Sequence, residues 1–199
     1  SSALSGCVNS ANIAKGIVED DIKDADITVV DTKSASLGLG LLVYKASEML
    51  KNGANKEEIV NWLEENKLKV NHWFTVDDLN HLKRGGRVSS TSAVVGTLLS
   101  IKPIMNVSDE GKLTPVAKVK GRKKSIKHLQ QMLKERITNP EDQVVFISHG
   151  DCLDEAEKLK DIILENTKVK EVKINYVGPT IGSHSGPGTL ALFFLGNER

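Results

Sequence analysis

The stretch GPTIGSHSGPG, residues 178–188, lies between two apolar, β-rich runs at 172–177 and 190–195, and the fold is read outward from it. It holds four glycines, two prolines, three hydroxyl residues and one histidine. Glycine permits positive φ and close approach of a ligand, and successive backbone N–H groups can form an anion-binding nest. Thr180, Ser183 and Ser185 add hydroxyl donors around His184. Two readings stand side by side: a tight connection that needs glycine for its geometry, and a site for an anion or a carboxylate.

Upstream, residues 144–147 read as a buried strand, and 154–166 as an amphipathic helix with Ala156, Leu159, Ile162 and Ile163 on one side. Ile126, Leu129, Leu133 and Ile137 follow a helical stripe. Residues 101–107, the turn Asp109-Glu110-Gly111 and residues 112–120 read as a β-hairpin. Pro103 and Pro115 suggest edge positions or strand ends, since proline removes a ladder donor. Residues 70–76 read as a strand, Asp77 as the cap of a short helix closed by Gly85-Gly86, and 89–92 as caps for a helix over 93–99. A hairpin, helices and closing strands make an α+β unit with a mixed or antiparallel sheet.

The first third has another rhythm. Residues 10–19 read as a helix, 27–30 as a short strand ending at Asp31-Thr32-Lys33-Ser34, and a second helix starts near Ser36. Gly53 sits where a left-handed C-terminal cap is wanted. Asn55 with Glu58 three residues later forms a capping-box pattern for a third helix. Strand, helix, helix is the rhythm of an α/β layer on a parallel sheet. The change falls near Asn71, so the expected fold is α/β with two domains: a parallel-sheet α/β part over 1–70 and an α+β part over 71–199.

Composition narrows the function. Lys plus Arg total 27 and Asp plus Glu 26, a net charge of +1, which removes the composition argument for a dedicated nucleic-acid binder. Charged residues at 27% and hydrophobic ones at 39% are those of an ordinary globular protein. No apolar run approaches the roughly 20 residues needed to span a bilayer, and no basic region precedes an apolar core as in a signal peptide. Cys7 and Cys152 are far apart, which suits a reduced cytoplasmic protein better than a disulfide scaffold. The five histidines show no metal-ligand spacing.

Three further segments carry chemistry. SSALSG, residues 1–6, places hydroxyls and free N–H groups ahead of a helix, which favours an anion or serves as ordinary N-capping. Lys83-Arg84-Gly85-Gly86-Arg87 offers two arginines for a phosphate or carboxylate, or ends a helix with a glycine cap. Lys118, Lys120, Arg122, Lys123, Lys124 and Lys127 form a solvated basic face, or one that meets a membrane surface or an acidic partner. Interleaved aromatics for nucleic-acid stacking are missing from it.

Taken in order, SSALSG (1–6), VDTKSASLGLGLL (30–42), WFTVDDLNHLKRGGRVS (73–89), IKPIMNV (101–107) with KGRKK (120–124), ISHGD (147–151) and VGPTIGSHSGPGTLALFFLG (177–196) resemble the DegV family of bacterial fatty-acid-binding proteins. Members of that family open with a strand ending in an Asp-Ser segment, followed by a Thr-Ser-Gln-Pro-Ser-like segment. Neither occurs here, so the expectation is a chain that starts partway through the family's first domain.

The resemblance implies a long-chain fatty acid buried in a tunnel between two domains, its carboxylate held by hydroxyls and the loop histidine. It implies presentation of that carboxylate to a separate fatty acid kinase catalytic subunit, whose acyl phosphate product feeds phospholipid synthesis. Carried over by position, Ser2 is the carboxylate ligand, with Ser1 and Ser5 as register alternatives, together with His184. Thr180, Ser183 and Ser185 are additional loop donors. Arg84, Arg87 and Arg122 resemble the surface that meets the kinase or, transiently, a membrane. On this reading the protein is a cytoplasmic carrier rather than an enzyme, with the lipid as ligand, no cofactor, no metal and no nucleic acid. About 14 methylenes at about 0.8 kcal/mol each give a gross driving force of about 11 kcal/mol, reduced by ordering costs. Two other classes compete: an enzyme on a phosphorylated or carboxylated metabolite that uses His184, and an interaction protein whose basic run docks an acidic partner.

Overall fold

A computed structural model describes residues 1–89 and 100–199 of the chain. Its centre is one mixed six-stranded sheet in the order β3-β2-β1-β6-β4-β5. The strands are β1 (Val70–Thr75), β2 (Ile101–Val107), β3 (Leu113–Lys120), β4 (Val144–His149), β5 (Glu171–Tyr176) and β6 (Leu190–Leu195). Seven α-helices accompany them among the described residues: α1 (Cys7–Asp21), α2 (Leu37–Lys51), α3 (Lys56–Asn66), α4 (Leu79–Arg84), α5 (Arg122–Arg136), α6 (Leu153–Asn166) and α7 (Pro179–Ser185). The pairings are antiparallel except β4 with β5, and α6 makes the crossover that a parallel pair requires.

Strand side chains alternate between faces, and the sheet separates two apolar clusters accordingly. Val70 and Phe74 of β1, Phe146 of β4 and Phe193 of β6 pack with Leu41 and Leu42 of α2. Trp73, Ile147, Leu192 and Phe194 point the other way, onto Leu129 and Leu133 of α5 and Leu159 and Ile163 of α6. Each central strand is therefore apolar on both faces, which explains the near-continuous apolar runs.

Several sequence expectations hold closely. Asn55 caps α3 in a complete capping box with Glu58, and Gly53 has φ +90° just past α2. The hairpin forms as β2 and β3, with Pro115 on the edge strand. Pro103 instead lies in β2, which has neighbours on both sides. The β1 pairing is registered two residues further on, at Phe74 with Met105.

Others are corrected. Residues 27–30 are not a strand, because no neighbouring strand offers them a ladder among the described residues. The cap of α4 is Asp78, whose Oδ1 accepts the Asn80 N–H at 2.9 Å. Asp77 turns outward to ion pairs with Lys102 and Arg122. Residues 179–185 form a short helix rather than a loop, since Pro179 presets the helical φ of its first turn. The Gly182 and Gly186 N–H groups close that helix onto Gly178 O and Gly182 O, so they form no open anion nest. The expected helix over 93–99 lies outside the described residues.

Candidate functional site

At one end of the sheet β1 and β4 finish and β6 begins: Leu190 stands opposite both Thr75 and His149. The helix that follows β1, α4, therefore meets the helix that precedes β6, α7. Buried Leu79 and Leu82 anchor α4 to the α2 side of the core. The helix ends in a paired turn: the Gly86 N–H donates to Lys83 O at 3.0 Å and the Arg87 N–H to Leu82 O at 2.9 Å. Gly86 supplies the positive φ (+69°) that this turn requires.

Histidine and glycine are exchanged across the two helices. The His184 ring of α7 lies against Gly85, and the His81 ring of α4 lies against Gly186, so a side chain at either glycine would strike the facing ring. Of the two glycines flanking His184, Gly186 is used for close approach of a neighbouring element, and Gly182 meets only Val177 of its own segment.

The serine segment reaches the same place through Arg87. Its guanidinium donates to Leu4 O from Nε (3.1 Å) and Nη2 (3.0 Å), and to Gly85 O from Nη1 (2.6 Å). One side chain ties the segment at residues 1–5 to the turn that packs on His184. Three candidate segments, read separately in the sequence, therefore converge.

The hydroxyls differ in what they already do. Ser1 Oγ donates to Gly111 O at 2.9 Å, which commits its proton to the β2–β3 turn. Ser2 Oγ accepts from Lys33 Nζ at 2.8 Å, and the Ser2 N–H donates to Asp31 Oδ1 at 3.1 Å. Ser5 Oγ accepts the Cys7 N–H at 3.4 Å. In α7, Ser183 donates to Thr180 O and Ser185 to Ile181 O, so both hydroxyl protons are used inside the helix. Thr180 is exposed at the start of that helix.

Sequence reasoning missed the layer beneath the serines. Lys33 pairs with Asp31 Oδ2 at 2.8 Å. Burial pushes the Asp31 carboxyl up, but hydrogen bonds from Lys33 and Ser2 outweigh it and hold the carboxyl well below its usual range. Arg199 donates to Lys33 O, Ser34 Oγ, Lys67 O, Val70 O and Ser108 O, and so fixes the 31–34 segment to β1 and the β2–β3 turn. The only signal for this layer is the polar run Asp31-Thr-Lys-Ser34, which reads locally as a strand end.

The three arginines are placed unequally. Arg84 is exposed, with Nη2 3.3 Å from His81 Nδ1. Arg87 is committed to the carbonyls named above. Arg122 is half-buried and joins Glu155 at 2.6 Å and Asp77 at 3.7 Å. Beyond them opens a cleft of about 520 Å³ lined by Asp77, His149, Asp151, Cys152, Tyr176 and Gly188. Its walls are too polar for an alkyl chain. Burial pushes the Cys152 thiol up to about 11, which keeps it protonated near neutral pH. Apolar surface lies instead on the helix that follows the serines. No residue of α1 is buried, and Ile13 and Ile17 stand 58% and 59% exposed, with Leu39 and Val43 of α2 exposed as well. Among the described residues no group of three or more His, Cys, Asp or Glu could hold a metal ion, and no helix is long and apolar enough to cross a membrane.

Comparison with known proteins places this arrangement. A family model described as "Uncharacterised protein, DegV family" matches residues 1–197. The chain belongs to the DegV family. A DegV domain-containing protein of Clostridium perfringens is 55% identical over 199 residues, which is 100% of this chain and 68% of that protein. A DegV lipid-binding protein from Thermotoga maritima superposes with a TM-score of 0.85 at 33% identity, covering 100% of this chain and 67% of the other. The Streptococcus pneumoniae Fatty Acid Kinase (Fak) B3 protein, solved loaded with linoleic acid, superposes with a TM-score of 0.89 at 26% identity, covering 99% and 69%. In this DegV chain three of the quoted segments, 1–6, 73–89 and 177–196, are joined at the α4–α7 junction by Arg87 and Gly85.

Proposed function

We propose that this DegV protein is a carrier that binds a long-chain fatty acid and holds its carboxylate between Ser2 and His184. The observation that carries the reading is the convergence itself: Arg87 and Gly85 bring the serine segment and the histidine helix to one turn. A carboxylate needs a few fixed donors and a tail needs apolar surface. Ser2 and His184 supply the first; the exposed apolar residues of α1 and α2, beside the serine segment, suit the second. Ser5 is the secondary hydroxyl and Thr180 a peripheral one. Ser1, Ser183 and Ser185 hold the backbone that carries the site. Two relatives support this reading, as one is described as a lipid-binding protein and the other was solved loaded with linoleic acid.

We further propose that the carboxylate is presented in the cytoplasm to a fatty acid kinase subunit, with acyl phosphate for phospholipid synthesis as the product. Exposed Arg84 faces that partner or a membrane surface, and Arg87 and Arg122 keep the surface in shape. The sheet is built wholly from residues 70–195. We propose on that ground a division into an N-terminal part over 1–70 and a C-terminal domain over 71–199, with α2 of the first part packed on the sheet of the second.

Mass spectrometry of lipid extracted from the full-length natural protein tests the carrier reading. A long-chain fatty acid in stoichiometric amount is expected, with most of it lost in His184→Ala. A protein that carries no fatty acid and takes up none when it is added overturns the reading.

A further inference from the structure

Lys33 has an unusual setting. Its φ is +51°, a left-handed backbone conformation that side-chain-bearing residues seldom adopt. Two contacts hold it there: its N–H donates to Asp31 Oδ1 at 3.2 Å, and its carbonyl accepts from Arg199 Nη1 at 3.1 Å. The cost of that conformation places the ammonium between two groups, Asp31 Oδ2 at 2.8 Å and Ser2 Oγ at 2.8 Å. Strain kept in place by surrounding contacts is a pointer to function.

A serine hydroxyl has one proton and accepts through its lone pairs. Lys33 can only donate, so Ser2 Oγ must be the acceptor, and the Ser2 proton is left to point away from the ammonium. Donation by a cation also polarises the hydroxyl and strengthens it as a donor. Asp31 fixes both partners, since it accepts the backbone N–H of Ser2 as well as that of Lys33. We propose that Lys33, held by Asp31, is a positioning residue that turns the Ser2 hydroxyl into a dedicated donor and so selects an ionised carboxylate over an uncharged lipid head group. The proposal rests on the fatty-acid reading and adds what that reading leaves open, namely which form of the head group is preferred and why.

The experiment compares palmitic acid with 1-hexadecanol, which shares the chain but has an uncharged head. Dissociation constants are measured for the full-length protein and for Lys33→Gly, Lys33→Arg, Ser2→Ala and the Lys33→Gly/Ser2→Ala pair. Glycine accepts the positive φ at residue 33, so Lys33→Gly removes the ammonium without adding backbone strain. Palmitate binding is expected to weaken about tenfold in Lys33→Gly, the scale of one charge-assisted hydrogen bond, while hexadecanol binding stays the same. Lys33→Arg should restore most of the loss, and the double variant should be no weaker than Ser2→Ala alone. Equal losses for both lipids, or additive losses in the double variant, would overturn the proposal. Unchanged palmitate binding in Lys33→Gly beside a wild type that binds would sink this proposal and leave the carrier reading standing. A wild type that binds no palmitate would remove both.

Discussion

Replacing Gly85 with alanine isolates the contact on which the proposed site depends. Gly85 has φ −73° and ψ −4°, so alanine fits its backbone without strain. A Cβ there would lie 3.2 Å from His184 Cγ and 3.3 Å from Cε1, with Nδ1 nearer still. Those separations fall inside the ordinary carbon contact distance of about 3.5–4.0 Å, and the ring must withdraw by about 1 Å. The His184 side chain can rotate, so the fold should feel little: the melting midpoint is expected to change by no more than about 1 kcal/mol equivalent, partly offset by the reduced freedom of the unfolded chain. The ligand should feel much more. Loss of one hydrogen bond to a charged head group costs about 1.5–3 kcal/mol, or about tenfold to a hundredfold in affinity. Gly86→Ala is the matched control. Nothing lies within 4 Å of a Cβ at Gly86, but its φ of +69° strains any side chain. That variant should lose stability, about 1 kcal/mol, and keep its affinity. Calorimetric titration with palmitate and a thermal melt on each variant read both axes. Gly85→Ala binding as well as wild type, with an unchanged melt, would show that the position of the His184 ring is irrelevant to the ligand.

The buried layer gives two more expectations. His72 donates from Nδ1 to Val70 O at 2.9 Å, and burial followed by the charge of Arg199 lowers its pKa to about 3. The unfolded chain takes up that proton near 6.5 and the folded chain does not until about 3. Stability is therefore full above 6.5 and falls by about 1.4 kcal/mol per unit as pH drops between these values. His72→Asn keeps a donor for Val70 O and removes the titration, so its urea-unfolding free energy should lose less on acidification; an unchanged slope would refute the assignment. Arg199→Ala takes a donor from the part-buried carbonyls of Lys33, Lys67 and Ser108, while Val70 O keeps His72, and should cost at least about 3 kcal/mol in the same assay. A loss under about 1 kcal/mol would mean water replaces the guanidinium.

These expectations use contacts between residues that are distant in sequence, and that distance marks what the sequence could disclose. The capping box at Asn55, the stripe Leu129–Leu133 and the apolar strands 144–147 and 190–195 are local signals, and each stands in the structure as read. The serine segment, the RGGR turn and His184 were legible as separate anion-binding candidates because donors and glycines cluster in them. Their meeting was not legible, because it depends on Arg87 reaching a carbonyl 83 residues away and on a histidine seated against a glycine of another helix. Glycine is ambiguous in this respect: the same residue permits a turn, a nest or a close approach. In 178–188 the uses divide: Gly186 and Gly188 combine positive φ with close approach to His81 and Asp77, nothing lies within 4 Å of a Cβ at Gly178, and Gly182 sits in the helix that Pro179 starts. The serines show the same limit. Ser1, Ser2 and Ser5 are equivalent by composition, and their partners separate them. Gly111 O takes the proton of Ser1, while Lys33 donates to Ser2 and leaves the Ser2 proton uncommitted by that bond. The proposed choice of Ser2 over Ser1 therefore rests on Lys33, a residue whose chemistry is invisible until the chain turns left-handed to deliver it.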